Sequence, residues 1–161
     1  MFIIHFKKLS MAYIKKTKPS KFRQDSYNRH NEWGISRIKT LLKKKGYNII
    51  QKEEDFGIDI KADKNGLIYL FEVETKTGYP FKDKKSFKFE TVSFLARKSK
   101  WVSTPFWYII ICKETESLVC CNSDVIFKEK YKEKIAINSY ERKGVDEFYR
   151  VPKDLCYWHQ L

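Results

Sequence analysis

From about residue 26 to 45 the apolar positions Ile35, Ile38, Leu41 and Leu42 recur three and four residues apart, which is one face of an α-helix. Lys43, Lys44 and Lys45 fill its last turn, where cations suit the helix dipole, and Gly46 is placed to cap it. The following "YNII" reads as a short strand. Then "GIDIKA" and "LIYLFEVET" flank Asn65-Gly66, and Asn-Gly between two apolar runs is the strongest short-range signal for a β-hairpin.

Further on, "KSFKFETVSFLARKSKW" is amphipathic and basic, and reads as a helical or irregular segment. "PFWYIIICKE" predicts a buried strand and "SLVCCNSDVIF" the next one. The tail "FYRVPKDLCYWHQL" predicts a final strand or packed coil. No internal repeat or low-complexity tract interrupts this order. Helix, strands, a basic segment and more strands make a mixed α/β domain.

The hairpin register has a chemical consequence. With Asn65 and Gly66 as the central pair of a two-residue turn, Asp59 falls opposite Glu72. A bulge at Gly66 would slip the pairing by one residue and still leave Asp59 beside Glu72. The strand period of two puts Glu72, Glu74 and Lys76 on one face. Facing carboxylates repel unless something neutralises them. Two explanations meet this arrangement. Lys61 and Lys76 pair with the acids on a wet sheet face, or the acids hold a divalent cation. Glu72 favours the cation, because it interrupts an apolar run where packing alone would place another apolar side chain. Mg²⁺ suits such a site, since it takes hard oxygen ligands and commonly uses one or two carboxylates with phosphate and water; Mn²⁺ is able to substitute.

Composition narrows the partner. The chain of 161 residues carries 33 Lys and Arg against 20 Asp and Glu, a formal charge of +13, with 42% hydrophobic and 16% aromatic residues. That describes a folded basic globule whose partner is a polyanion: DNA first, with RNA satisfying the same charge, and an anionic membrane surface second. No apolar run reaches the roughly 18 residues needed to span a bilayer. The "FIIHF" stretch is too short for a signal peptide, so a cytoplasmic location is expected. Residues 1–24 read as a basic arm, and Met11 is a candidate start. Cys112, Cys120, Cys121 and Cys156 lack zinc-site spacing and read as reduced thiols. The scattered His5, His30 and His159 and only six Gly support neither a His-based triad nor a phosphate-cradling loop.

"EWGISRIKTLLKKKGYNI" from Glu32, followed by "GIDI" and "FEVETK", resembles the PD-(D/E)xK, or restriction endonuclease-like, nuclease superfamily, nearest in look to archaeal-type Holliday junction resolvases. The resemblance covers about residues 26–76. It implies a central mixed β-sheet flanked by helices over residues 25–161. It also implies a Mg²⁺-dependent endonuclease that hydrolyses DNA phosphodiesters, with branched DNA as a candidate substrate. Glu32 matches the helix acid that assists metal binding, and Asp59 matches the motif Asp. The motif Glu is either Glu72, with Glu74 where Lys is usual, or Glu74, with Lys76 as the Lys; family spacing favours the first. Asp59, Glu72 and Glu32 then hold the metal, and Glu74 and Lys76 complete the catalytic group.

Arg97, Lys98 and Lys100, interleaved with Phe94 and Trp101, suit phosphate contact and base stacking, and Lys43 and Lys44 add further positive charge for nucleic acid. Paired cuts in a duplex or junction call for a homodimer. The competing expectation is a non-catalytic nucleic-acid-binding protein that keeps the fold; a weaker third is a factor whose basic face meets an acidic protein.

Overall fold

A computed structural model describes residues 24–50, 57–101, 104–138 and 143–161. The basic arm up to residue 23, with Met11, lies outside the described residues. Helix α1 spans Gln24–Lys44. Its apolar face is the one the periodicity predicts: Ile38 and Leu42 are buried, and Ile35 and Leu41 pack against the same core. The helix ends as its sequence indicates. Gly46 takes φ +82°, Tyr47 N–H donates to the Leu42 carbonyl and Gly46 N–H to that of Lys43. Those two bonds satisfy carbonyls that the helix end would leave without partners.

Among the described residues the main sheet has six strands, in the order β1 (Asn48–Ile50), β2 (Ile60–Lys64), β3 (Leu67–Lys76), β5 (Trp107–Cys112), β6 (Ser117–Asn122) and β9 (Tyr157–Gln160). Only β3 and β5 run parallel; the other neighbours are antiparallel. Strand β5 is central and buried on both faces, which is why "WYIIIC" reads as one continuous apolar run. Its odd positions Ile109 and Ile111 face α1, and its even positions Tyr108, Ile110 and Cys112 face the other way.

That other face is covered by a second sheet rather than by a helix. It has the order β4 (Thr91–Leu95), β8 (Lys143–Pro152) and β7 (Lys132–Asn138). Here the structure corrects the helical or irregular expectation for residues 85–101. Thr91 to Leu95 alternate, with Val92 and Phe94 buried, and pair with β8; a 3₁₀ turn, Ala96–Trp101, follows. The period of two over five residues outweighs the basic amphipathic look of the longer window. The short helix α2, Ser123–Ile126, completes the domain as a mixed α/β fold around a central mixed sheet. Among the described residues no helix is long and apolar enough to cross a membrane.

One contact sets the height of α1 over the sheet. A Cβ on Gly34 would lie 2.1 Å from Thr75 Oγ1, so only glycine lets the helix approach β3 this closely. Thr75 Oγ1 in turn donates to the His30 carbonyl at 2.9 Å.

Candidate active site

The β2–β3 turn has Asn65 at φ 56° and Gly66 at φ 78°, the left-handed pair that a tight type I′ hairpin requires. Ile60 therefore pairs with Phe71, without a bulge, and Asp59, just before β2, has its side chain against that of Glu72. Asp59 does more than face its neighbour. Its Oδ2 accepts from the Val73 N–H at 2.8 Å, which holds the carboxylate at the end of the ladder.

Glu72 is wholly buried, at 0% exposure, on the face of the sheet away from α1. Lys98 reaches it from the 3₁₀ turn after β4, with Nζ 2.7 Å from Oε2. The second oxygen, Oε1, is buried and accepts from no donor among the described residues; the neighbouring Asp59 carboxyl is the group with which Glu72 can share a proton. Burial, then the hydrogen bond to Asp59 and its charge, push the Glu72 carboxyl up to about 7, against the pull of Lys98.

Two residues on, Glu74 is held at both oxygens. Lys76 Nζ lies 2.5 Å from Oε1, and the Tyr108 hydroxyl donates to Oε2 at 2.8 Å. Tyr108 is buried, and burial followed by the Glu74 charge drives its phenol well above its usual range, so it stays a neutral donor. The parallel register delivers it, because Glu72 pairs with Tyr108 and Glu74 with Ile110. Beside Glu74 lies an open groove of about 240 Å³ lined by His30, Asn31, Lys76 and Arg97.

Asp59, Glu72, Glu74 and Lys76 are thus brought together, with Lys98 in direct contact and Arg97 at the groove. Other expected residues are placed elsewhere. Glu32 is exposed on α1, two positions from the buried Gly34, and α1 packs on the opposite face of the sheet from Glu72. A helix turns about 100° per residue, so two positions point Glu32 away from the sheet. It does not join the carboxylates. Lys43 and Lys44 are exposed at the far end of α1, about 20 Å along the axis from His30 at roughly 1.5 Å per residue. Phe94 has no face to offer a base: it is fully buried, with its ring centroid 5.1 Å from that of Tyr108. Lys100 is exposed on the 3₁₀ turn, and the side chain of Trp101 lies outside the described part of the structure.

Sequence reasoning missed Tyr108, because its approach to Glu74 depends on a non-local strand pairing. It placed Lys98 on the phosphates and missed the ion pair with Glu72. It also passed over His30, whose Nδ1 lies 3.0 Å from Lys113 Nζ at the groove's end of α1.

The donor set suits a small hard cation. Asp59 and Glu72 supply carboxylate oxygens, one of which, Glu72 Oε1, accepts from no donor among the described residues. Among the described residues no three His, Cys, Asp or Glu side chains are grouped to hold a metal ion. A cation here would complete its shell from water and phosphate, the habit of Mg²⁺.

No family model matches the chain, and no curated protein matches it. Among solved structures it is similar to a bacterial homing endonuclease, with a TM-score of 0.44 and 14% identity, over 62% of this chain and 71% of that one. Likeness at that level describes a partly shared path of the chain and leaves activity to the side chains.

Proposed function

We propose that this protein is a metal-dependent nuclease that hydrolyses phosphodiester bonds of DNA, in the manner of the PD-(D/E)xK enzymes its hairpin resembles. The observation that carries the reading is the wholly buried Glu72 carboxyl set against the half-buried Asp59 carboxyl, with one Glu72 oxygen that accepts from no donor among the described residues. Two carboxyls in contact cannot both ionise without repulsion, and raised carboxyl pKa values cluster at functional sites.

In this mechanism Asp59 and Glu72 hold Mg²⁺. When bound, the ion would supply an activated water and neutralise charge on the phosphate. Lys98, which contacts Glu72, would set its positive charge beside the reacting phosphate. Glu74, fixed by Tyr108 and Lys76, stands where a proton from the attacking water can be accepted at a carboxylate oxygen. Arg97 and Lys76 line the groove beside it and hold the phosphate chain.

A second reading has its own observation. Lys98 on Glu72 and Lys76 on Glu74 neutralise both glutamates internally, as a non-catalytic nucleic-acid-binding protein would need. Cleavage decides between them. Duplex, single-stranded and branched DNAs are incubated with Mg²⁺, with Mn²⁺ or with EDTA. The nuclease reading expects products with either metal and none in EDTA. Binding to DNA without products under any metal would leave the second reading standing.

A further inference from the structure

A second cleft, of about 510 Å³, opens beside the carboxylate groove. The two share Thr75, Lys76 and Thr77 at the end of β3, so they meet along one wall. Its other walls differ in kind. Tyr79, Phe87 and Phe89, from the segment joining β3 to β4, line it together with Arg150 of β8.

The aromatic wall is exposed, and its rings are held in place. Tyr79 is 68% and Phe89 48% exposed. Their ring centroids lie 6.4 Å apart, Phe89 lies 5.7 Å from Phe87, and Phe87 lies 5.6 Å from Phe81, which is itself buried. A chain of ring contacts therefore runs from the core to the surface and fixes two aromatic faces in water. Open apolar surface of this kind, next to a polar site, marks a ligand surface. Arg150 adds polar chemistry. Its Nη1 pairs with Glu133 at 3.1 Å, while its Nε is buried with no partner among the described residues.

We propose that this cleft binds a single unpaired nucleobase of the nucleic acid whose backbone passes Lys76. The proposal rests on the nucleic-acid reading of the adjoining groove. A base offers a flat π-face to Tyr79 and Phe89 and acceptor atoms on its edge to Arg150; the +13 charge of the chain favours the polyanion that carries it. The cleft, at about 510 Å³, has room for one nucleoside. Extruding a paired base costs unpairing and unstacking energy, so a nucleotide already unpaired is the favoured occupant. The preferred substrate is then DNA with an unpaired nucleotide close to the scissile phosphate, as at a bulge, flap or branch.

The test is made in EDTA, with the full chain and a duplex carrying one unpaired 2-aminopurine, against the same duplex fully paired. Stacking should quench the fluorophore, and the unpaired duplex should bind about five- to 100-fold more tightly. Tyr79→Ala and Phe89→Ala should each reduce the quench and the preference. Tyr79→Phe should keep both, and Leu67→Ala, at the exposed hairpin tip, should leave both unchanged. Equal affinity for the two duplexes, or a preference untouched by both alanine variants, overturns the proposal. Quenching without cleavage in Mg²⁺ supports the base site and removes the nuclease reading; cleavage without quenching does the reverse.

Discussion

Lys98 and Glu72, 26 residues apart in the chain, form an ion pair 2.7 Å long in which the carboxylate is wholly buried and the lysine is 25% exposed. The lysine donates to one carboxylate oxygen; the other accepts from no donor among the described residues and shares its site with the Asp59 carboxyl. Removing one member of a buried pair leaves the other charge uncompensated, so this contact is sensitive from either side.

Stability without metal should fall as pH rises from about 4.5 to about 7. Glu72 has a folded carboxyl pKa of about 7 against the ordinary 4.5. Below 4.5 the group is protonated in both states and contributes no difference. Above it, the unfolded chain ionises freely while the folded chain still holds its proton, so stability declines until about 7 and then levels. The shift corresponds to at most about 3 kcal/mol. Glu72→Gln should remove this slope, measured by denaturant unfolding in EDTA across the pH range. Equal slopes for the two proteins would show that Glu72 does not titrate in this way.

Mg²⁺ should raise the melting temperature of the wild type more at pH 8 than at pH 6, because the ion competes with a proton on Glu72. Asp59→Asn and Glu72→Gln should lose both that rise and DNA cleavage. Asn is the better probe at position 59, since it keeps an acceptor for the Val73 N–H, whereas Ala would leave that donor unpaired. A normal Mg²⁺ shift in Asp59→Asn would remove Asp59 from the metal site.

Lys98→Ala should reduce single-turnover cleavage more than Lys76→Ala. Lys98 contacts the buried Glu72, while Lys76 is 43% exposed and pairs with Glu74 one step further along β3. Tyr108→Phe should keep the fold, lose about 1 kcal/mol of stability and lower cleavage by freeing one Glu74 oxygen. The reverse order of the two lysine variants would move the catalytic pair to Glu74 and Lys76.

DNA affinity should fall steeply with salt, at a log–log slope of about 0.9 per phosphate contact. Arg97→Ala should reduce that slope by about one unit, while Glu32→Ala, on the far face of α1, should leave it unchanged. Titration by fluorescence anisotropy over a salt series measures both. A flat salt response would point to an acidic protein as the partner.

What was legible in the sequence was local. The face of α1, its cap at Gly46 and the two-residue turn at Asn65-Gly66 each depend on residues a few positions apart, where helix and hairpin periods govern contact. The facing of Asp59 and Glu72 follows from that turn alone, because a tight hairpin allows one register. The tertiary structure decided the rest of the site. The parallel pairing of β3 with β5 brings Tyr108 to Glu74, and the packing of β4 against β8 carries Lys98 onto Glu72. Both rest on chain reversals through the long β3–β4 and β4–β5 connections, whose geometry no residue period encodes. Glu32 shows the same limit from the other side. Its helix and its spacing were readable, but which face of the sheet the helix would cover was settled by how closely Gly34 lets α1 pack on Thr75, and by the β4–β8–β7 sheet that occupies the face where Glu72 lies.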